Sequence, residues 1–459
     1  MNLTNIFRFI PEVRKPEEKK LSFNVKLKWT LIILVAFFVL ANIPLFGLSN
    51  NALERFEFLA VLLATDFGSL ISLGIGPIVM GSIILQLLAG SGILNIDTTT
   101  PEGRKFFQGL QKILVFFFIL FESIVYVAMK GLEAFPGFAG IVIFQLILGG
   151  LAIFYMNEVC EKWGFGSGVS LFIAAGVSWS LFTSAFQFIN QQGKNCLLDF
   201  GNTPCSGKVF VLIQSIINKY PVEILSALAA IIATIIIFLI VVWAQSLKVE
   251  IPLSFGRIRG YGVKWPLSFF YASVIPVILT AALVANIQLF GGLIENWRGA
   301  PTFLGGFSGG QAVSGLAFWI GSTNLLDLFI RGGFLWKYLL QGLIHILFFM
   351  GLATLFSVFW VKTAGMDARS QAKKIAASGL QVSGFRQDIR ILESILDRYI
   401  MPLTVMGGAA IGLLASFTNL LGALVGGTSI LLVIMIFHQF YQNIAQQHMT
   451  DMNPSMRKF

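Results

Sequence analysis

The sequence predicts an all-α integral membrane protein with ten transmembrane helices, and three observations carry that reading. Only 12% of the 459 residues are charged, half the share of an average soluble domain, about 25%. Hydrophobic residues make up 56% of the chain, and mean hydropathy is +0.81. The apolar residues lie in continuous runs long enough to span, about 20 residues each, rather than in the short alternating segments of a membrane barrel.

Taken in order, the spans fall near 27–45, 75–94, 112–130, 138–157, 167–188, 222–246, 267–290, 336–360, 399–418 and 422–443. Residues 1–26 form a polar, basic segment without the apolar core and small-residue site of a cleaved signal peptide. Residues 27–190 hold spans one to five and 222–443 hold spans six to ten. An external loop, 191–221, joins them, and a tail covers 444–459. Five is odd, so the two five-helix halves must be inverted relative to each other. That architecture places a functional path at the interface between halves. No sequence identity between the halves supports the repeat; it rests on span count.

Lys and Arg orient the chain. Of 32, 24 fall in the two terminal segments and the loops after even-numbered spans, so these are expected to be cytosolic. The net charge of +10 follows from this bias without invoking nucleic acid. Two cytosolic loops are long. In 247–266, VEIPL alternates and Arg257 and Arg259 surround a glycine, which predicts a hairpin. In 361–398, apolar residues at helical spacing precede a Gly-Phe-Arg turn and a second helical stretch. Cys160 sits in a short cytosolic loop. Cys196 and Cys205 share the external segment NCLLDFGNTPCSG, where either a disulfide or two free thiols is possible. The glycine-rich segment 291–335 is long enough to re-enter the membrane in part.

Catalytic chemistry is sparse. Glu122 and Glu158 are isolated acids in the third and fourth spans, and His345 and His438 stand alone. No metal, redox or nucleotide motif is present, and GFGSG (164–168) reads as the small-residue start of the fifth helix. An enzyme should show a nucleophile with its base, and a solute transporter should show ionisable groups at midplane. The chain is expected to be neither, and to need no cofactor.

The informative irregularity is ERFEFLAVLLATDFGSLISL (54–73) running into GIGPIVMGSIILQLLAG (74–90). Only 58–64 is an uninterrupted apolar run, too short to cross. Gly74 and Gly76 permit a sharp turn, and Pro77 suits a first helical turn. Irregular backbone at membrane depth is tolerated only inside protein or beside a cavity, so the break predicts one.

At this point the residues identify a family. GIGPIVMGSIILQLLAGSG, KWGFGSGVSLFIAAGVS, VEIPLSFGRIRG with FYASVIPVILTAALVANIQLFG, AGMDARSQAKKIAASGLQVSGFRQD, ILDRYIMPLTVMGGAAIG and NLLGALVGGTSILL resemble, in order, segments of the archaeal-type SecY family, the channel subunit of the Sec translocon. The resemblance implies two halves around a central pore that passes unfolded polypeptide. Signal sequences and membrane helices leave sideways between the second and seventh spans. It identifies 54–70 with the family's plug. It carries the pore ring onto Ile75, Val79, Val169, Ile173, Ile278 and Leu432, the lateral gate onto Asn286, and ribosome contact onto Arg257, Arg259 and Arg386. Implied partners are the SecE and beta (SecG-like) subunits, the ribosome or another cytosolic motor, the nascent chain and lipid. Val169 is smaller than the isoleucine expected there, and the plug matches in placement more than in wording.

Overall fold

The computed structural model describes residues 11–18, 21–94, 96, 100–190, 194–198, 205–255, 262–272, 274–377, 380–382 and 388–452. Among these, nine helices are long and apolar enough to cross a membrane, and a tenth, Gly76–Gly90, has 15 residues. In chain order the spans are Phe23–Ala41, Gly76–Gly90, Pro101–Ala128, Ala139–Trp163, Gly168–Phe186, Pro221–Ser246, Ile275–Arg298, Trp336–Thr363, Ile389–Leu421 and Gly427–Met452. Their starts follow local chemistry. Thr100 Oγ1 accepts from the Gly103 amide ahead of Pro101, Ser167 Oγ accepts from Ser170, and Asp388 accepts from Arg390. Such caps satisfy amides that have no partner within the helix.

The seventh span is the centre. Its most apolar stretch is 78% buried, against 11% for the first span. It packs on the second, eighth, ninth and tenth spans. Further contacts between halves run from the second span to the eighth and from the tenth span to the fifth and the first. The start of the first span and the end of the tenth meet on one face, called here the terminal face: Lys26 Nζ donates to Gln447 Oε1 (2.9 Å) and Gln447 Nε2 donates to the Leu21 carbonyl (2.8 Å).

The hairpin expected over 247–266 exists as strands Lys248–Phe255 and Gly262–Ser268. A third strand, Leu380–Val382, pairs antiparallel with the first. Ile251, Leu267, Ala372, Leu392 and Leu396 close a second, smaller core here, and Tyr271 donates its hydroxyl to the Met366 carbonyl (2.6 Å). The two long loops are thus one packed body on the terminal face.

Several boundaries differ from the sequence reading. The seventh helix spans Ile275–Arg298, not 267–290, because the apolar residues before it belong to the hairpin strand and a turn, and Pro276 opens the helix. The second helical stretch of 361–398 is continuous with the ninth span. The plug segment is helical only over Glu54–Phe56 and Glu57–Leu63; residues beyond form turns. The loop 191–221, expected to be external, contains a helix, Lys208–Asn218, and Cys196 and Cys205 form a disulfide. In 291–335, the helix Gly315–Ile320 is buried at Ala317, Phe318 and Ile320, and Gln341 and His345 of the eighth span bind its last carbonyls.

Residues 11–18 cross the ends of the third and fourth spans as an extended strap. Glu158 Oε2 accepts from the Val13 amide (3.1 Å), Lys162 Nζ donates to the Val13 carbonyl (2.6 Å), and Trp163 Nε1 donates to the Arg14 carbonyl (3.0 Å). Lys112 and Lys162 each bridge Glu12 and Glu158. The hydrogen bond from Lys162, with the charge of Lys112, holds the Glu12 carboxyl below its ordinary value. A lowered acid contributes attachment above its unfolded value, and that contribution is lost as pH falls through the lowered one. Hydrogen exchange across 11–18, corrected for its intrinsic pH dependence, is therefore expected to be slow at neutral pH and to rise on acidification. Lys112→Met should produce the same rise at neutral pH. Equal exchange in the variant would mean that the strap is held without these charges.

Candidate functional site at the interrupted second span

The site begins where the plug segment hands over to the second span. Thr65 Oγ1 donates within reach of the Ile71 and Ser72 carbonyls (2.8 and 2.7 Å), and Ser72 Oγ accepts from the Gly68 amide (2.9 Å). These bonds satisfy a backbone that is not helical. Gly74 has φ +53°, and a Cβ there would press on the Leu63 carbonyl; only glycine fits. The Ile75 amide donates to that same carbonyl (2.9 Å). At Gly76 a Cβ would lie 3.1 Å from Glu122 Oε2. Pro77 occupies the first turn of the span.

The six aliphatic positions lie in or against one apolar core. Ile75, Val79, Ile173, Ile278 and Leu432 are buried in one continuous apolar core, and Val169 packs half-buried against it. Three elements fix the others around the second span. Asn157 Oδ1 accepts from the Val169 amide (2.9 Å) and so joins the start of the fifth span to the fourth. Pro276 starts the seventh span just ahead of Ile278. Asn419 Oδ1 accepts from Thr428 (2.8 Å) at the start of the tenth.

On one side of this cluster lies a cavity of about 360 Å³. Val79, Val169 and Ile278 form part of its lining, and Gln86, Arg104, Gln108, Gln111 and Glu161 add polar side chains. Ile75, Ile173 and Leu432 are not among the lining residues. On the other side, the plug helix Glu57–Leu63 packs against the fifth and seventh spans; Gly176, almost one turn past Ile173, faces the Val61 carbonyl. Val79, Val169 and Ile278 thus stand beside a largely apolar cavity with a few polar side chains, and the helix Glu57–Leu63 packs on the same fifth and seventh spans.

Asn286 is buried in the seventh span. Its Nδ2 donates to the Ala282 carbonyl (2.8 Å), and its Oδ1 has no partner among the described residues. Phe290, one turn on, meets Phe121 of the third span with ring centroids 6.5 Å apart. That face of the seventh span therefore looks across the seam between halves. Arg257, Arg259 and Arg386 lie outside the described residues.

Sequence reasoning missed three features. Glu122 carried no role, yet its carboxylate abuts the start of the second span. Phe56, fully buried, fills the space beside Gly292 of the seventh span and meets Phe307 edge-on at 5.3 Å. Asn296 Nδ2, at the end of that span, donates to the Lys130 carbonyl (2.8 Å) of the opposite half. Paired glycines at 291–292 were a signal of close approach; for the other two, the sequence held none. Among the described residues, no group of three His, Cys, Asp or Glu comes together as a metal site.

Comparison with known proteins agrees with this geometry. The SecY family model matches residues 69–441, and the plug domain of Sec61p matches 35–68. The protein translocase subunit SecY of Methanothermobacter thermautotrophicus is 41% identical, over 99% of this chain and 97% of that protein. Its counterpart in Methanocaldococcus jannaschii is 39% identical, over 99% and 98%. Among solved structures, a protein-conducting channel superposes with TM-score 0.85 at 37% identity, covering both chains completely. Sec61 of the canine ribosome-channel complex from the endoplasmic reticulum gives 0.81 at 36%, again over both whole chains. With the family model matching most of the chain and relatives up to 41% identical over nearly all of it, the chain belongs to the SecY family.

Proposed function

We propose that this chain is the central channel subunit of a Sec protein translocase. It passes unfolded polypeptide across the membrane and releases apolar segments sideways into lipid. The observation that supports the proposal is the burial of aliphatic side chains beside the interrupted second span, three of them, Val79, Val169 and Ile278, lining a cavity, with the helix Glu57–Leu63 packed on the fifth and seventh spans. A narrow aliphatic constriction dewets and resists ions, yet its side chains part around a polypeptide. In this reading Ile75, Val79, Val169, Ile173, Ile278 and Leu432 form the ring. Gly74, Gly76 and Pro77 are the break that lets the plug move independently of the second span. Asn286 lowers the cost of parting the second and seventh spans, because its unpartnered oxygen gains from contact with a peptide or water.

The terminal face is the cytosolic one, as the Lys and Arg bias requires. Arg257, Arg259 and Arg386 on its loops contact the ribosome, since the guanidinium fork suits RNA phosphate. Small SecE and beta subunits complete the complex, and the driving force comes from the ribosome or another cytosolic motor.

A photo-crosslinker at Ile278, with Phe144 on the outward face of the fourth span as control, tests the reading. With a ribosome stalled on a long secretory chain, the nascent chain is expected to crosslink at Ile278 and not at Phe144. A docked ribosome without that crosslink would reopen the solute-transporter alternative. The plug gives a second expectation. Phe56→Ala should cost about 3–5 kcal/mol of local packing, raise hydrogen exchange in 57–63 and raise resting ion leak. Gly292→Val, which displaces the ring, should act in the same direction. Unchanged leak in both would mean that the plug is held elsewhere.

A further inference from the structure

The connector between the fifth and sixth spans is built inside out for a water-exposed loop. In the helix Lys208–Asn218 the buried residues are polar, Gln214 and Ser215. Gln214 Oε1 accepts from the Cys205 amide (3.1 Å), so the disulfide-closed loop docks on the polar face. Its exposed apolar residues are Ile213, Ile216 and Ile217, which spacings of three and four place on one stripe; exposed Tyr220 lies just past the left-handed Lys219, at the start of the sixth span. Leu198, within the disulfide loop, is 87% exposed.

We propose that this stripe contacts bilayer lipid at the face opposite the termini, making the connector a membrane-anchored element. Two observations select lipid as the occupant. The stripe is continuous in the chain with the outward face of the sixth span, where Leu225, Leu228 and Ile232 are exposed on a helix that must itself face hydrocarbon. The flanking charge also suits a headgroup layer: residues 187–222 hold Lys194, Lys208 and Lys219 against the single acid Asp199. Lysines at the ends of an apolar stripe extend to headgroup phosphates while their stems stay in the apolar layer, and tyrosine at the junction is typical of that depth. The two halves of the molecule are therefore joined, on this face, by a segment that moves in the plane of the membrane.

The test uses the full chain, with its partner subunits, in phosphatidylcholine–phosphatidylglycerol vesicles. An environment-sensitive fluorophore is attached at Ile217→Cys or, separately, Ile213→Cys, with Asn195→Cys as control; Cys160→Ala removes the free thiol, and the disulfide leaves Cys196 and Cys205 unreactive. At 213 and 217 a blue-shifted emission is expected, with quenching by spin-labelled lipid and loss of quenching by aqueous iodide. The control should show the reverse. Iodide quenching at 213 and 217 would overturn the proposal in favour of a loop in water. Protection from both quenchers would overturn it in favour of a protein cover. Using two label sites guards against one substitution disturbing the fold.

Discussion

The structure depends on one constraint: backbone polar groups at membrane depth must be satisfied by the protein itself. The second span has 15 residues, about 22 Å at 1.5 Å per residue, against a hydrocarbon core of about 30 Å. The missing length is made up by residues 59–75, whose apolar side chains are largely buried, Leu59, Leu63, Phe67, Ile71, Leu73 and Ile75 among them. The Thr65 and Ser72 bonds, the left-handed Gly74 and the Leu63 carbonyl that accepts from Ile75 close the gap. Because this patch must be enclosed, the other spans are arranged around it, and the central burial of the seventh span follows.

Enclosure also links the plug segment to the seventh span and to the opposite half. Phe56 sits beside Gly292 of the seventh span, while the Ala52 amide of the same segment donates to the Gly131 carbonyl of the other half. The C-terminal end of the seventh span is tied to the neighbouring Lys130 through Asn296. In the proposed function, movement of the seventh span away from the third would remove the Gly292 seat of Phe56 as well as part Phe121 from Phe290. Phe121 against Phe290 and Phe359 against Gly90 leave that seam mostly apolar; such packing gives little resistance to a lipid-soluble segment in place of the partner helix.

Much of the frame was legible in the sequence, because ten apolar runs and a skewed distribution of Lys and Arg leave few alternatives. The boundaries failed where apolar residues served another purpose. Leu267 and Tyr271 belong to the second core on the terminal face, so composition alone drew the seventh span eight residues early. The external helix was hidden because its apolar stripe is short and its polar face is the buried one. The site was legible in part. Gly74, Gly76 and Pro77 announce a break by their own chemistry. An aliphatic such as Ile278 or Leu432 is indistinguishable from dozens of others until family resemblance selects it. The Phe56–Gly292 seat joins residues far apart in the chain and had no local signature.

The central claim is that an aliphatic ring, and not the plug alone, closes the path. Ion conductance in planar bilayers tests it most directly, comparing protein lacking residues 57–63 with the same protein also carrying Ile75→Ser, Ile173→Ser and Ile278→Ser. The account predicts that the aliphatic ring without its plug opens only transiently, and that the serine ring conducts steadily. Equal conductance from the two would contradict it, because a constriction that seals by excluding water cannot be indifferent to three hydroxyls.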